Sequence, residues 1–448
     1  ADEIRWLVPM KSSVLIGTSG NEIKMDSGDA AKALTANNVN IQVESRWGQS
    51  HVQPLVIGSS VLCVERSGAV VRELTYSFEV DGLAGNNLAV LASHLFSGHA
   101  ISEWAYEQHP DSIVWCVRND GVLLGLTYMR EHQVWAWHHH NTDGQVESIA
   151  SVHDEDNSHI YVIVKRVVNG IERRYVERLR KRLPAYEDGS FDVQDAFFVD
   201  SGLTHDAPVA ITGITNADPA VVTTATAHGF SDGDLVDISR VAGMTKLNGN
   251  RYRVASGAST TFELKTENGA SVDSSDTDVW GAYISGGQVR KVVTVVHGLD
   301  HLEGREVSIL ANGGVLSSQT VNDGYIRLAE PASRVHVGIP YTCTVATLDF
   351  DYMLQSGTTS DKLKNISSVA VTLDKTRTFS VGVNDGDLEK VSFRTDERYG
   401  EPTALFSGTK EVIVSSESSR NIWLKVQTSD PLPFTILKLA ARINHGNT

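Results

Sequence analysis

Residues 134–145 read VWAWHHHNTDGQ, which sets His138, His139 and His140 side by side behind Trp135 and Trp137. Three imidazoles could hold a transition metal, and two indoles could form a flat wall for a sugar. On an extended strand, side chains alternate between faces. His138 and His140 then share one face, while His139 lies on the other with Trp135 and Trp137, so the three neighbours cannot converge on one ion. The pair two apart could supply two ligands, with His132, His153 or His159 as the third, but the spacing lacks the definite pattern of a zinc site. A strand end at a surface or subunit contact fits better, and protonation between about pH 7 and pH 5 would add charge there. Trp104, Trp115, Trp135 and Trp137 all stand in apolar runs and are expected to pack between sheets.

Other reactive-looking groups weigh less. GTSGNE around Ser19 lacks the G-x-S-x-G pattern of a nucleophile elbow. The carboxylates of Asp154, Glu155 and Asp156, and of DSSDTD around Asp276, could attract Ca²⁺, but neither run has the spacing of an EF-hand loop, so solvated loops are expected. ERRYVERLRKRL is the one strongly basic stretch, with Arg173, Arg174, Arg178, Arg180, Lys181 and Arg182; it suits either an acidic partner or a salt-bridged strand end. Cys63, Cys116 and Cys343 form no CxxC pair and are expected to be small buried residues. No catalytic, cofactor-binding or metal-binding residue is therefore assigned, no cofactor is expected, and the chain reads as a non-enzyme.

The elements that must carry these residues are strands. Four stretches, SVLIGTSGNEIKM, VLCVERSGAVVRELTYSF, SIVWCVRNDGVLLGLTYM and HIYVIVKRVVNGIERRYVERL, each read as two strands around a tight turn. Asn119-Asp120-Gly121, Asp143-Gly144 and Asn169-Gly170 offer the positive φ that hairpins need. One helix is expected, in NNLAVLASHLFSG, where Leu88, Leu91, Leu95 and Phe96 recur on one face. With 448 residues, several domains are expected. Hairpins recurring at roughly 25 to 50 residues imply a β-propeller-like region over 1–183. A connector follows over 184–209, then a Thr-, Ser- and Gly-rich inserted β module of five or six strands over 210–290, a β platform domain over 291–360 and a C-terminal β-rich region over 361–448. Pro431 and Pro433 confine their segment to an edge or loop. The fold class is all-β: propeller-like hairpin repeats followed by small barrel or sandwich domains.

Hydrophobic residues at 41%, charged residues at 21% and no long apolar run place the chain among soluble globular proteins, with no membrane span and no retained secretory signal. A net charge of −16 argues against a nucleic-acid grip, which must neutralise phosphates with Lys and Arg.

Five stretches in a shared order resemble the nozzle proteins of short-tailed bacteriophages, also called tail tubular protein B: LIGTSGNE (15–22), VQPLVIGSSVLCVERSGAVVREL (52–74), the run from LASHLF to NTDG (91–144), GLDHLEGREVSILANGG (298–314) and DPLPFTIL (430–437). The resemblance implies a structural virion protein, assembled in the bacterial host cytoplasm as a homo-hexameric ring. Its expected neighbours are the tail adaptor protein and the tail fibres, and double-stranded DNA would pass through an acidic channel that repels phosphate and does not bind it. It also implies further propeller ahead of the segment that begins at Ala1, so the chain is expected to be a fragment, a trimmed product or a shortened relative. The insert, with ATAHGFSDGDLVDISRVAGMTKLNGNRYRV, is similar to the first catalytic cysteine half-domain of ubiquitin-activating enzymes; it has no cysteine, so only the fold carries over, as an outward module for host-surface contact. The rival expectations are a carbohydrate-binding or receptor-binding tail component using the tryptophans, and a metal-dependent glycan hydrolase using the histidines.

Overall fold

A computed structural model describes residues 2–10, 13–29, 32–78, 82–154, 157–182, 191–354, 357–393 and 404–445. The chain divides into two compact units, Ala1–Arg180 and Lys181–Thr448, and is predominantly β in both.

In the first unit, strands follow one another as antiparallel meanders. β1 (Ile4–Pro9), β2 (Val14–Thr18), β3 (Glu22–Asp26) and β4 (Asn40–Ser45) form the first sheet. β5 (Leu55–Ile57), β6 (Ser60–Val64), β7 (Val71–Ser77) and β8 (Gly82–Asn87) form the second. β9 (Ile101–Glu107), β10 (Ile113–Arg118), β11 (Leu123–Met129) and β12 (Val134–His140) form the third, and β13 (Gln145–Asp154), β14 (Asn157–Val168) and β15 (Ile171–Arg178) the fourth. All four hairpins read from sequence are present, as β2–β3, β6–β7, β10–β11 and β14–β15. Their turns use the expected residues: Gly121 has φ +86°, and Asn169 and Gly170 have φ +50° and +74°. Gly144 differs, since its φ is not positive; β12 and β13 belong to different sheets, so Asp143-Gly144 closes no hairpin.

Strand periodicity makes these sheets stack. In β6, Leu62 and Val64 enter the core shared with the third sheet, while Val61 and Cys63 enter the core shared with the first. In β10, Val114 and Cys116 face the second sheet, and Trp115 and Val117 face the fourth. Both faces of the second and third sheets are thus buried, which is why β6 and β10 read as continuous apolar runs.

The helix expected around residues 86–98 is instead a short 3₁₀ segment, Val90–Phe96, broken at Ala92. Leu88 and Phe96 anchor it in the seam between the second and third sheets, but Leu91 is 94% exposed, so the expected apolar face does not form. Seven residues are too few to repay helix nucleation, and the two anchors suffice to hold a loop.

In the second unit, β16 (Asp200–His205) pairs with a later strand, and a closed six-stranded barrel follows: β17 (Val209–Ile214), β18 (Val221–Thr224), β19 (Leu235–Ala242), β20 (Asn250–Ala255), β21 (Thr261–Thr266) and β22 (Ser285–Lys291), in the order β17-β18-β21-β20-β19-β22. Phe262, Leu264, Val236, Ile238 and Val289 fill it. His228 closes one side: its Nδ1 accepts the Phe230 N–H at 3.0 Å, and its ring stacks on Phe230. β23 (Val293–His297), β24 (Glu306–Ala311), β25 (Gly314–Thr320), β26 (Tyr325–Ala332) and β27 (Val335–Ile339) build the platform, as the sheet β16-β27-β24-β25 and the pair β23-β26 around one core. Arg290 and Arg334 both reach Asp206, at 2.7 and 3.2 Å, and Arg251 joins Asp237 to the Pro331 carbonyl, which fixes barrel to platform.

Two boundaries shift from those expected. The connector over 184–209 contributes β16 to the platform sheet, and the platform's own strands end at Ile339. Cys343–Ala346 pairs instead with Leu424–Thr428, beside Thr378–Val383 and Glu389–Ser392. A further sheet sets Lys364–Thr376 between Phe406–Ile413 and Ile436–His445. Composition reveals that a segment is a strand, not which distant strand completes its ladder. Pro431 and Pro433 lie in the loop before Ile436–His445, where a missing N–H costs no ladder bond.

Candidate functional site

The histidine stretch is the second strand of the hairpin β11–β12, in the register Leu123↔His140, Gly125↔His138 and Thr127↔Ala136. His138 and His140 share the face that alternation assigns them. Their rings meet with His138 Nδ1 2.8 Å from His140 Nε2, and both lie against Trp115, with ring centroids 5.7 and 5.0 Å away. Trp115 is held in turn by Glu107, whose Oε2 accepts the indole N–H at 2.7 Å; burial pushes the Glu107 pKa up, against the lowering effect of that bond. Gly125 is the residue that lets this happen. A Cβ at Gly125 would sit 2.1 Å from the His138 ring, so only glycine permits the imidazole to lie flat across β11. Nothing in the pattern VLLGLTYM marks that glycine as a cradle; its place opposite His138 in the ladder does.

The fourth sheet packs chiefly over β9 and β10. On that side His140 is exposed and His138 half-buried; His139, on the opposite face, is exposed as well. Crowding of protein around the rings pushes the His138 pKa down and the His140 pKa down to about 4, although His140 keeps an open edge; the charge of neighbouring imidazoles adds to both effects. The charge expected between about pH 7 and pH 5 is therefore reduced: His140 stays largely neutral through that interval, and His138 gains its proton at a lower pH than a free imidazole.

The tryptophans divide. Trp104 and Trp115 are buried, and Trp137 packs edge-on against Phe96 and donates its N–H to the Leu88 carbonyl at 2.8 Å. Trp135 is 41% exposed, contrary to the expectation that all four pack between sheets; it lies at the uncovered edge strand of the third sheet. The cysteines divide likewise: Cys63 and Cys116 are buried, with thiol pKa values raised by desolvation, while Cys343 is exposed.

The remaining sequence candidates are occupied locally. Ser19 Oγ accepts the Glu3 N–H at 3.1 Å across the end of the first sheet. Asp276 caps a short helical turn by accepting from the N–H groups of Asp278 and Val279, and Asp273 binds Ser275. Asp154 ends β13, and Glu155 and Asp156 lie outside the described residues. Among the described residues no group of three or more His, Cys, Asp or Glu side chains is placed to hold a metal, so His132, His153 and His159 do not complete a site with His138 and His140. In the basic stretch, Arg174 pairs with Glu147 at 2.7 Å, and Arg182 Nη2 donates to the Phe434 carbonyl at 3.2 Å.

One further surface lies outside the sequence expectations. In the first sheet, Trp6, Val8 and Leu15 point to the second sheet, and the alternating positions Leu7, Ile16, Ile23, Met25, Ile41 and Val43 form the opposite face. Leu7, Ile41 and Val43 are 57%, 60% and 53% exposed. At the other end of the stack, Val152, Ile163, Val167 and Val176 are exposed on the fourth sheet, interleaved with the ion pairs Arg174–Glu147 and Lys165–Glu172. The signal for the first face is present in the sequence: antiparallel strands open to water alternate apolar with polar, whereas LIGT and EIKM keep an isoleucine on the side away from Leu15.

These features define a predominantly β protein of stacked meander sheets and a small closed barrel. Residues 217–293, which include most of that barrel, match the family described as the ubiquitin-activating enzyme E1 FCCH domain. No curated protein matches the chain. Among the described residues no helix is long and apolar enough to cross a membrane.

Proposed function

We propose that this chain is a structural component of a short non-contractile phage tail, a propeller-containing subunit of the nozzle ring through which the genome is ejected. The observation that carries the reading is the first unit: successive antiparallel sheets starting at Ile4, Leu55, Ile101 and Gln145 are stacked face to face. A pitch of roughly 45–50 residues is that of a propeller blade, and the order of motifs resembling nozzle proteins runs through the same sheets. The apolar face at the first-sheet end of the stack is what a subunit of a larger assembly presents. A net charge of −16 suits a channel wall that repels phosphate. In this reading the barrel is an outward module for host-surface contact, six copies close the ring, the adaptor protein and tail fibres are the neighbours, and the chain performs no catalysis.

Negative-stain electron microscopy of the purified chain and of phage tails tests it. A ring with a central pore is expected; a chain that stays monomeric at tens of micromolar and is absent from particles would overturn the proposal.

A second reading, a carbohydrate-binding tail component, draws on the exposure of Trp135, whose indole offers a rigid apolar face to a sugar ring. Glycan-array binding lost in Trp135→Ala, without ring formation, would favour it.

A further inference from the structure

We propose that His138 and His140 form a two-nitrogen chelate for a divalent transition ion that favours square-planar nitrogen ligation, Cu(II) or Ni(II). This goes beyond the structural role proposed above and does not depend on it. The argument is geometric. Metal–imidazole bonds of about 2.0 Å on adjacent corners of a square-planar ion set the two nitrogens about 2.8 Å apart. His138 Nδ1 and His140 Nε2 are 2.8 Å apart. Two residues on one strand face hold that separation through the backbone, and the rings cannot easily turn away: the His138 imidazole lies across Gly125, and Trp115 borders both rings.

Without metal, one of the two facing nitrogens carries the hydrogen of their mutual bond. Binding needs only the other tautomer of that ring, with its hydrogen moved to the remote nitrogen, so that both facing lone pairs are free; no net proton is released. The edge is open to solvent, because the fourth sheet packs chiefly over β9 and β10, and an ion can enter directly. The carboxylate that holds Trp115, Glu107, is engaged by the indole N–H. No third His, Cys, Asp or Glu joins the pair among the described residues, so the other corners of the ion stay open to water or to a donor from another molecule. Such a site is exchangeable and of the kind that loads and unloads, unlike a closed structural centre.

The full-length chain is titrated with Cu(II) in a weakly coordinating buffer, with electron paramagnetic resonance and tryptophan fluorescence as readouts. The first equivalent is expected to show nitrogen coordination and to quench fluorescence, because the ion sits beside Trp115. His138→Ala and His140→Ala should each weaken that first equivalent by about tenfold or more. His139→Ala, on the opposite face, should leave it unchanged, which controls for the other histidines of the chain. Thermal melts of the metal-free variants check folding; all three positions are at least partly open, so the melts should coincide. Equal Cu(II) binding by wild type, His138→Ala and His140→Ala overturns the proposal, as does equal loss in His139→Ala; in either case the pair is a hydrogen-bonded strand end.

Discussion

The uncovered face of the first sheet yields the sharpest expectation. In the triple variant Leu7→Thr, Ile41→Thr and Val43→Thr, strand propensity is kept while the face becomes polar. Fully burying a side chain of this size stabilises by about 1.5–3 kcal/mol. These three keep 57%, 60% and 53% of their surface open in the isolated chain, so covering them on assembly is worth about 1 kcal/mol each. Losing all three weakens association by about 3 kcal/mol, on the order of 100-fold in the dissociation constant. The folded chain itself should lose only about 1 kcal/mol per site, because the inward residues Trp6, Val8 and Leu15 are untouched. Sedimentation velocity over a concentration series reads the first effect, and urea unfolding reads the second. Unchanged assembly in the triple variant would refute the claim that this face is covered in the assembled state. A collapse of stability by more than about 6 kcal/mol would show that the face already belongs to the core of the chain.

Three further outcomes are expected. Glu177→Ala should destabilise the first unit by about 3 kcal/mol, because it leaves the buried Arg166 guanidinium without the carboxylate it grips at 3.0 and 2.9 Å; Arg166→Met with Glu177→Leu should cost less, and denaturant unfolding compares the two. Asp120 is held at a pKa of about 2, first by its side-chain bond to Arg118, below the ~3.9 of an unfolded aspartate. Its contribution is complete above about pH 4 and lost as the pH falls through about 2, so melts of wild type and Asp120→Asn should differ at pH 6 and converge toward pH 2. His228→Ala should destabilise the barrel by about 2 kcal/mol, since the Phe230 N–H loses its acceptor and two aromatic contacts disappear; proteolysis within residues 209–291 should accelerate while the first unit stays intact.

What the sequence discloses, and what it withholds, follows one physical division. Hairpins are local: Asn169-Gly170 and Asp120-Gly121 encode their turns within a few residues, and β10–β11 and β14–β15 can be read directly. The inserted module is legible because its composition changes at both ends, although its closure into a barrel rests on β17 meeting β22, some 80 residues away. Non-local choices are hidden. Cys343 looks like any small apolar residue, and only the pairing of its strand with Leu424–Thr428 leaves it exposed. Trp135 and Trp137 stand two apart on one strand face, yet only Trp137 meets the Leu88–Phe96 loop. Alternation by itself excludes the three-histidine metal site, but the 2.8 Å meeting of His138 and His140 needs Gly125 beneath them, and that partner is set by register.

The two ends of the sheet stack are not equivalent, and the difference constrains how copies can associate. The end formed by Leu7, Ile16, Ile23, Met25, Ile41 and Val43 is apolar at these positions, whereas the other end mixes Val152, Ile163 and Val176 with Arg174–Glu147 and Lys165–Glu172. Packing the first face on its own copy sets these apolar positions against each other, but it is a two-fold contact and closes at two chains. A ring requires a head-to-tail contact. Setting the first face against the fourth would satisfy that symmetry only by drying ion pairs that now lie partly in water, at a cost of several kcal/mol unless they stay paired. The face of a four-stranded sheet, about 15 by 17 Å, also covers only about 250 Å², less than the roughly 800 Å² per partner of a stable interface. A ring of this chain must therefore draw most of its contact area from surfaces other than the sheet ends. The triple variant distinguishes the cases: if the first face supports a two-fold pair, dimers vanish and nothing larger is lost; if it is one part of a wider head-to-tail contact, the ring weakens but persists at high concentration.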